Sequence, residues 1–219
     1  MTLSGAFLIF SHRNEAYNHS LADACYRVAT TEVSVRGDTK KTKMVANNRV
    51  RDTKLCCLPT PNPPTPDTTV YNQIAQLTPN LFLSSATALT PQALSKYNVS
   101  LIINVTKELP LLPVEGAKTL RISIEDRSSE DLFPYFEIVS NLVREHEKRG
   151  GIVLIHCVVG VSRSAVLCLA FLVKYYCSLS EAWKYLKTIR PWVNPNTGFW
   201  TQLEAWEQLV KMERERGRG

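Results

Sequence analysis

Residues 152–164 read IVLIHCVVGVSRS, and the character of the chain changes twice within that stretch. The run IVLIHC is short, β-branched and nearly all apolar, the pattern of a central parallel strand covered on both faces. A tight loop with Gly160 in its middle follows, and from about Ser164 through Tyr176 the pattern is helical. A strand, a tight loop and a helix in that order place an anion at a helix N-terminus, where free amides and the macrodipole both favour negative charge. The loop then lies at the carboxyl end of a central strand, where open α/β sheets bind ligands.

Working outward, apolar runs alternate with helical patterns on both sides of this unit. Upstream, the spacing predicts a short strand at Leu81–Leu83, then a helix with Thr90 as N-cap and Pro91 at its first position. Further strands are expected at Leu101–Val105 and Thr119–Ile124. The polar loop EDRSSED leads into an amphipathic helix from about Pro134 to Lys148, with Phe136, Val139, Leu142 and Val143 on one face and a Gly150-Gly151 break after it. Downstream, one helix starts near Ser180 and another after Asn196. The fold class is α/β, a central and mostly parallel sheet flanked by helices.

Residues 1–70 carry no sustained apolar periodicity and end in PTPNPPTPDTT, whose prolines remove backbone donors. They are expected to be a disordered extension and Pro-rich linker without the apolar content to contribute to a core, leaving a domain over 71–212 and a charged tail over 213–219. The net charge of +6 is spread evenly, with nine basic against six acidic residues up to Val70 and seventeen against fourteen beyond it. Neither part is a nucleic-acid surface, and Lys40, Lys41 and Lys43 are read as solvated chain. The run from Gly5 to Phe10 is too short to span a membrane and has no basic residue ahead of it. Six cysteines without regular spacing, the adjacent Cys56 and Cys57 included, argue for reduced thiols and a cytoplasmic or nuclear location. No cluster has metal-ligand spacing, so neither a metal nor a cofactor is expected.

Cys157 and Arg163 stand six positions apart across the loop. A loop of that length can curl the amides of Val158, Val159, Gly160, Val161, Ser162 and Arg163 around a tetrahedral dianion, while Arg163 offers a bidentate fork. The same amides and helix dipole favour the Cys157 thiolate, which makes that residue a nucleophile. A lone Cys after IVLIH would be a buried thiol; His156 before it, with Gly160, Arg163 and Ser164 after it, changes that reading. A Walker-type loop is excluded, because no Gly-Lys-Ser/Thr occurs.

The stretch HCVVGVSRS resembles the phosphate loop H-C-x-x-G-x-S-R-S of the dual-specificity branch of the protein tyrosine phosphatase superfamily, matching at His156, Cys157, Gly160, Ser162, Arg163 and Ser164. The resemblance extends over about 71–212 and includes IINVT at 102–106 and RPWVNPNTGFW at 190–200, which is most similar to the small atypical group. It implies a protein phosphatase acting on phosphotyrosine and phosphoserine or phosphothreonine through a cysteinyl-phosphate. It also implies a general acid about thirty residues before the Cys, and Asp126, 31 positions upstream, is preferred over its neighbours Glu125 and Asp131. Ser164 would steady the leaving thiolate besides capping the helix, Asn196 would support the loops or cap the last helix, and His156 would brace the phosphate loop from behind. Trp192, Phe199, Trp200 and Trp206 are assigned to packing. The implied partner is a phosphoprotein, with a component of a mitogen-activated protein kinase pathway permitted. Two alternatives stay open: a phosphatase for a non-protein phosphate, which the uncharged Val158, Val159 and Val161 disfavour for inositol lipids, and a phosphoprotein-binding pseudophosphatase scaffold.

Overall fold

The computed structural model describes Leu58 and residues 72–217. Five strands, β1 (Ala75–Gln76), β2 (Leu81–Ser85), β3 (Leu101–Asn104), β4 (Lys118–Arg121) and β5 (Val153–Cys157), form one sheet in the order β1-β2-β5-β3-β4. Only β1 runs antiparallel to its neighbour; the β2–β5, β5–β3 and β3–β4 pairs are parallel. The helices are α1 (Pro91–Lys96), α2 (Phe133–Lys148), α3 (Arg163–Tyr175), α4 (Leu179–Ile189) and α5 (Thr197–Arg216).

β5 is the central strand, and its residues alternate between two cores, as a period of two requires. Val153, Ile155 and Cys157 join the large core with α2, α3, α4 and α5, while Leu154 packs on the other face with Phe82, Leu94, Val99 and Ile102. Every residue of α3 up to Val173 is buried. That explains why SAVLCLAFLV is apolar all round rather than on one stripe. The four aromatic positions expected to pack divide: Phe199 and Trp206 are core, whereas Trp192 and Trp200 are partly buried. Trp206 stands edge-on to Phe133 and Phe136 and donates Nε1–H to Ala170 O at 3.0 Å.

Several boundaries differ from expectation for identifiable reasons. β2 continues through Ser84 and Ser85 because they pair with His156 and Cys157. β4 stops at Arg121, short of the expected Ile124. Its partner β3 ends at Asn104, whose carbonyl accepts from Ile122 N–H, and Val105 N–H turns instead to His156 O. Ser178, not Ser180, opens α4, through a capping box with Glu181. α5 runs past residue 212 to Arg216, where a charged tail was expected; Arg214 Nη2 donates to Val173 O and Lys174 O and ties the last turns to α3. Residue 58 also departs from the reading of an extension with nothing to give the core, for Leu58 is buried within the main cluster. The rest of the predicted extension, with Lys40, Lys41, Lys43, Cys56, Cys57 and the Pro-rich linker, lies outside the described residues. Among the described residues no helix is long and apolar enough to cross a membrane.

Candidate active site

Cys157 ends β5, and the loop after it turns four consecutive carbonyls outward. Val158 O accepts from Ala86 N–H at 3.0 Å and Val161 O from Asn194 N–H at 2.9 Å. Between them, Val159 O accepts from Arg190 Nη2 at 2.9 Å and Gly160 O from Arg190 Nε at 2.7 Å. The N–H and C=O of a trans peptide point opposite ways. The amides of Val159, Gly160, Val161 and Ser162 therefore face the concave side, and Gly160 N–H donates to Cys157 Sγ at 3.2 Å. Glycine is required at 160 twice over: its φ is +71°, and an added Cβ would lie 2.6 Å from Ser84 O.

Two predicted residues meet at the sulfur and a third enters through a residue that the sequence reading missed. Ser164 Oγ donates to Cys157 Sγ at 3.1 Å. The expected capping role of Ser164 is not observed, because α3 begins at Arg163 with Ser162 in the N-cap position. Arg163 is buried, and its guanidinium meets Glu108, with Nη1 3.0 Å from Oε2 and Nη2 2.8 Å from Oε1. Nη1 also donates to Ile124 O at 3.1 Å, whereas Nε is buried with no hydrogen-bond partner. The Arg163 guanidinium holds the Glu108 carboxyl below its ordinary value, and although burial acts against the Arg163 charge, Glu108 raises the guanidinium in return. Glu108 follows IINVT at the carboxyl end of β3, on the same edge of the sheet as the phosphate loop, and that position was the available signal.

Of the three neighbouring acids, one reaches the loop. Asp126 Oδ1 accepts from Ser162 Oγ at 2.7 Å and from Asn196 Nδ2 at 2.9 Å, and Oδ2 lies 3.8 Å from Arg163 Nε. Glu125 is committed elsewhere, to Lys107 Nζ at 3.0 Å and Arg127 Nε at 2.8 Å. Asp131 Oδ1 accepts from Phe133 N–H at 3.1 Å at the start of α2, and burial pushes its carboxyl up. Asn196 Oδ1 also accepts from Phe199 N–H and caps α5. His156 Nδ1 lies 3.3 Å from Cys157 O; a carbonyl can only accept, so Nδ1 carries the proton. Burial pushes this imidazole down to about 4, which leaves it neutral at pH 7.

The family model for the catalytic domain of the dual specificity phosphatases matches residues 81–209. The chain belongs to the dual specificity phosphatase family. Human dual specificity protein phosphatase 21 is 37% identical over 135 residues, covering 61% of this chain and 71% of that protein. Human dual specificity phosphatase 28 is 33% identical over 142 residues, or 64% and 81%. Among solved structures, that of human DUSP28 superposes with a TM-score of 0.61 at 31% identity, covering 70% of this chain and 99% of that one. A mouse dual specificity phosphatase complexed with zinc tungstate gives a TM-score of 0.63 at 30% identity, covering 69% and 95%. As a dual specificity phosphatase, the chain is a protein phosphatase whose substrates are phosphoproteins.

Proposed function

We propose that Cys157 is the nucleophile of this phosphatase, Arg163 its phosphate clamp, Asp126 its general acid and Ser164 the hydroxyl that steadies the departing thiolate. The observation that carries the reading is the pair of donors on one sulfur, Gly160 N–H and Ser164 Oγ, inside a loop with four outward carbonyls. The amides of Val158, Val159, Gly160, Val161, Ser162 and Arg163 would receive the phosphoryl oxygens, joined by Arg163 Nε, a buried donor without a partner. The mouse relative was solved complexed with zinc tungstate, whose anion is tetrahedral like the phosphoryl dianion this loop would hold.

In the first step Cys157 Sγ attacks phosphorus in line, the bond to the substrate side-chain oxygen breaks, and Asp126 gives that oxygen its proton. Arg163 and the amides stabilise the equatorial oxygens throughout. In the second step water attacks the cysteinyl-phosphate, Asp126 takes a proton from it, and inorganic phosphate leaves. Ser164 Oγ–H, already 3.1 Å from the sulfur, donates to the thiolate as it is released.

Turnover of an aryl phosphate, inhibited by vanadate and abolished in Cys157→Ser, tests the assignment; activity of that variant comparable to wild type would overturn it. Arg163→Lys replaces a fork with a point charge and should lose both turnover and vanadate affinity. For the substrate we put forward a component of a mitogen-activated protein kinase pathway, to be sought by trapping with Asp126→Ala in cell extract. A cytoplasmic and nuclear location is proposed from the free thiols Cys157, Cys168 and Cys177, and imaging of the tagged chain checks it.

A further inference from the structure

Arg190 follows the last residue of α4 and is completely buried. A guanidinium withdrawn from water ordinarily keeps a carboxylate beside it, because the desolvation of an unpaired charge is costly. Arg190 has none: it enters no ion pair among the described residues. Its donors go to three backbone carbonyls, Nε to Gly160 O at 2.7 Å, Nη2 to Val159 O at 2.9 Å and Nη1 to Gln73 O at 2.9 Å. The fork is pressed against the back of the loop, so that a Cβ on Gly160 would lie 2.8 Å from Nη2.

The peptide unit joining Val159 to Gly160 connects this cation to the sulfur. Its carbonyl oxygen accepts from Arg190, and its N–H donates to Cys157 Sγ at 3.2 Å. A carbonyl bonded to a cation polarises its own peptide, which strengthens the donor at the other end. We infer that Arg190 is the positioning cation of the phosphate loop, holding two of its carbonyls outward and matched in charge by the thiolate or phosphoryl group that the loop holds. Burial acts to lower the Arg190 guanidinium, and the Cys157 charge acts the other way. The other titratable groups around Cys157 are Arg163 and Cys168 on α3, His156 on its own strand, and Asp126 and Glu108 on the loops beside Arg163. This inference rests on the assignment of Cys157 as nucleophile.

The test uses the full chain with Arg190→Gln, which removes the charge, and Arg190→Lys, which keeps it as a point donor. Alkylation of Cys157 by iodoacetamide is followed across pH, with mass spectrometry identifying the modified residue. In Arg190→Gln the midpoint of alkylation should move up by about one pH unit, and vanadate inhibition should weaken about tenfold. In Arg190→Lys the midpoint should stay near that of wild type, while turnover falls because a point donor replaces the rigid fork that reaches Gly160 O, Val159 O and Gln73 O from three separate nitrogens. A residue that only supported the fold would lower the melting temperature in both variants and leave the midpoint alone. A folded Arg190→Gln protein with the wild-type midpoint overturns the inference, as does an Arg190→Lys protein with wild-type turnover and vanadate inhibition. Should neither variant fold, the wild-type chain decides: the NMR signal of Arg190 Nε–H should follow the ionisation of Cys157 and be flat in Cys157→Ser, and a signal flat in both overturns it. Turnover surviving in Cys157→Ser would remove the nucleophile itself, an outcome distinct from all of these.

Discussion

Gly198 stands in the first turn of α5, directly beneath the loop that carries Asp126, and alanine there should separate acid catalysis from phosphate binding. A Cβ on Gly198 would lie 1.9 Å from Ser128 O, 2.6 Å from Ser128 C and 2.7 Å from Ser128 Cα. These are backbone atoms, so no side-chain rotation relieves the overlap. Ordinary contact begins near 3.4 Å, and the loop or the start of the helix must therefore shift by about 1.5 Å. Ser128 is two residues from Asp126, whose position depends on Ser162 Oγ and Asn196 Nδ2, the latter on the N-cap of the same helix. Misplacing a reacting group by about 1 Å can cost about a hundredfold. A general acid contributes about a hundredfold to ten-thousandfold in all, so a loss of about a hundredfold on a phosphopeptide is expected. An aryl phosphate with an acidic leaving group needs less protonation and should lose less than tenfold by the same reasoning. Vanadate inhibition should change less than phosphopeptide turnover, because the amides and Arg163 belong to another element and meet the shifted segments through Ile124 O, Asp126 and Asn194. The assay is steady-state turnover on both substrates, with a thermal melt to confirm folding; overpacking of this kind costs about 1–3 kcal/mol. Equal loss on the two substrates, or undiminished phosphopeptide turnover, would refute the reasoning that this contact sets the acid.

Ser164→Ala removes one of the two donors on Cys157 Sγ. Rapid-quench kinetics should show the second step slowed by about tenfold or more, with cysteinyl-phosphate accumulating; an unchanged burst would remove Ser164 from that step. Asp126→Ala should reproduce the leaving-group-dependent defect of Gly198→Ala, while Glu125→Ala and Asp131→Ala should not, given the partners those two acids keep. The folded imidazole of His156 sits near 4, below its unfolded value of about 6.5. The unfolded chain therefore takes up the proton first as pH falls, and the stability this residue contributes is complete above about 6.5 and declines towards 4. Relative to His156→Gln, wild type should lose about 2 kcal/mol of unfolding free energy between pH 7 and pH 5, measured by urea titration; parallel curves would contradict this. Leu58→Ala should cost about 2 kcal/mol and lower the melting temperature, and removal of residues 1–70 should cost at least as much, which a melt of each protein checks.

The loop of the proposed chemistry was legible because it is local. The proposed nucleophile, clamp and steadying hydroxyl fall within residues 157–164, a loop whose length and central glycine already demand a particular curl, and the strand before it and helix after it announce themselves by periodicity. The sheet class followed from IVLIHC for the same reason, since a strand apolar on both faces has to be covered twice. Asp126 was preferred over Glu125 and Asp131 from resemblance and spacing alone, and the tertiary structure adds the partners of each, Ser162 and Asn196 for Asp126 and Lys107, Arg127 or Phe133 for the others. Glu108, which only its place after IINVT could have flagged, and Arg190, Gly198 and Leu58 were passed over because the chain around them does not reveal which distant groups they touch. Glu108 meets Arg163 across 55 residues, Arg190 reaches Gly160 across 30, and Asn196 reaches Asp126 across 70. The first of these contacts exists because β3 pairs in parallel with β5, which brings the loops after both strands to one end of the sheet, and the other two because the segment between α4 and α5 passes the same end. A local pattern encodes an element and the groups within its own loop. Which distant side chain backs that loop depends on how the elements are laid side by side, and only the folded chain decides that.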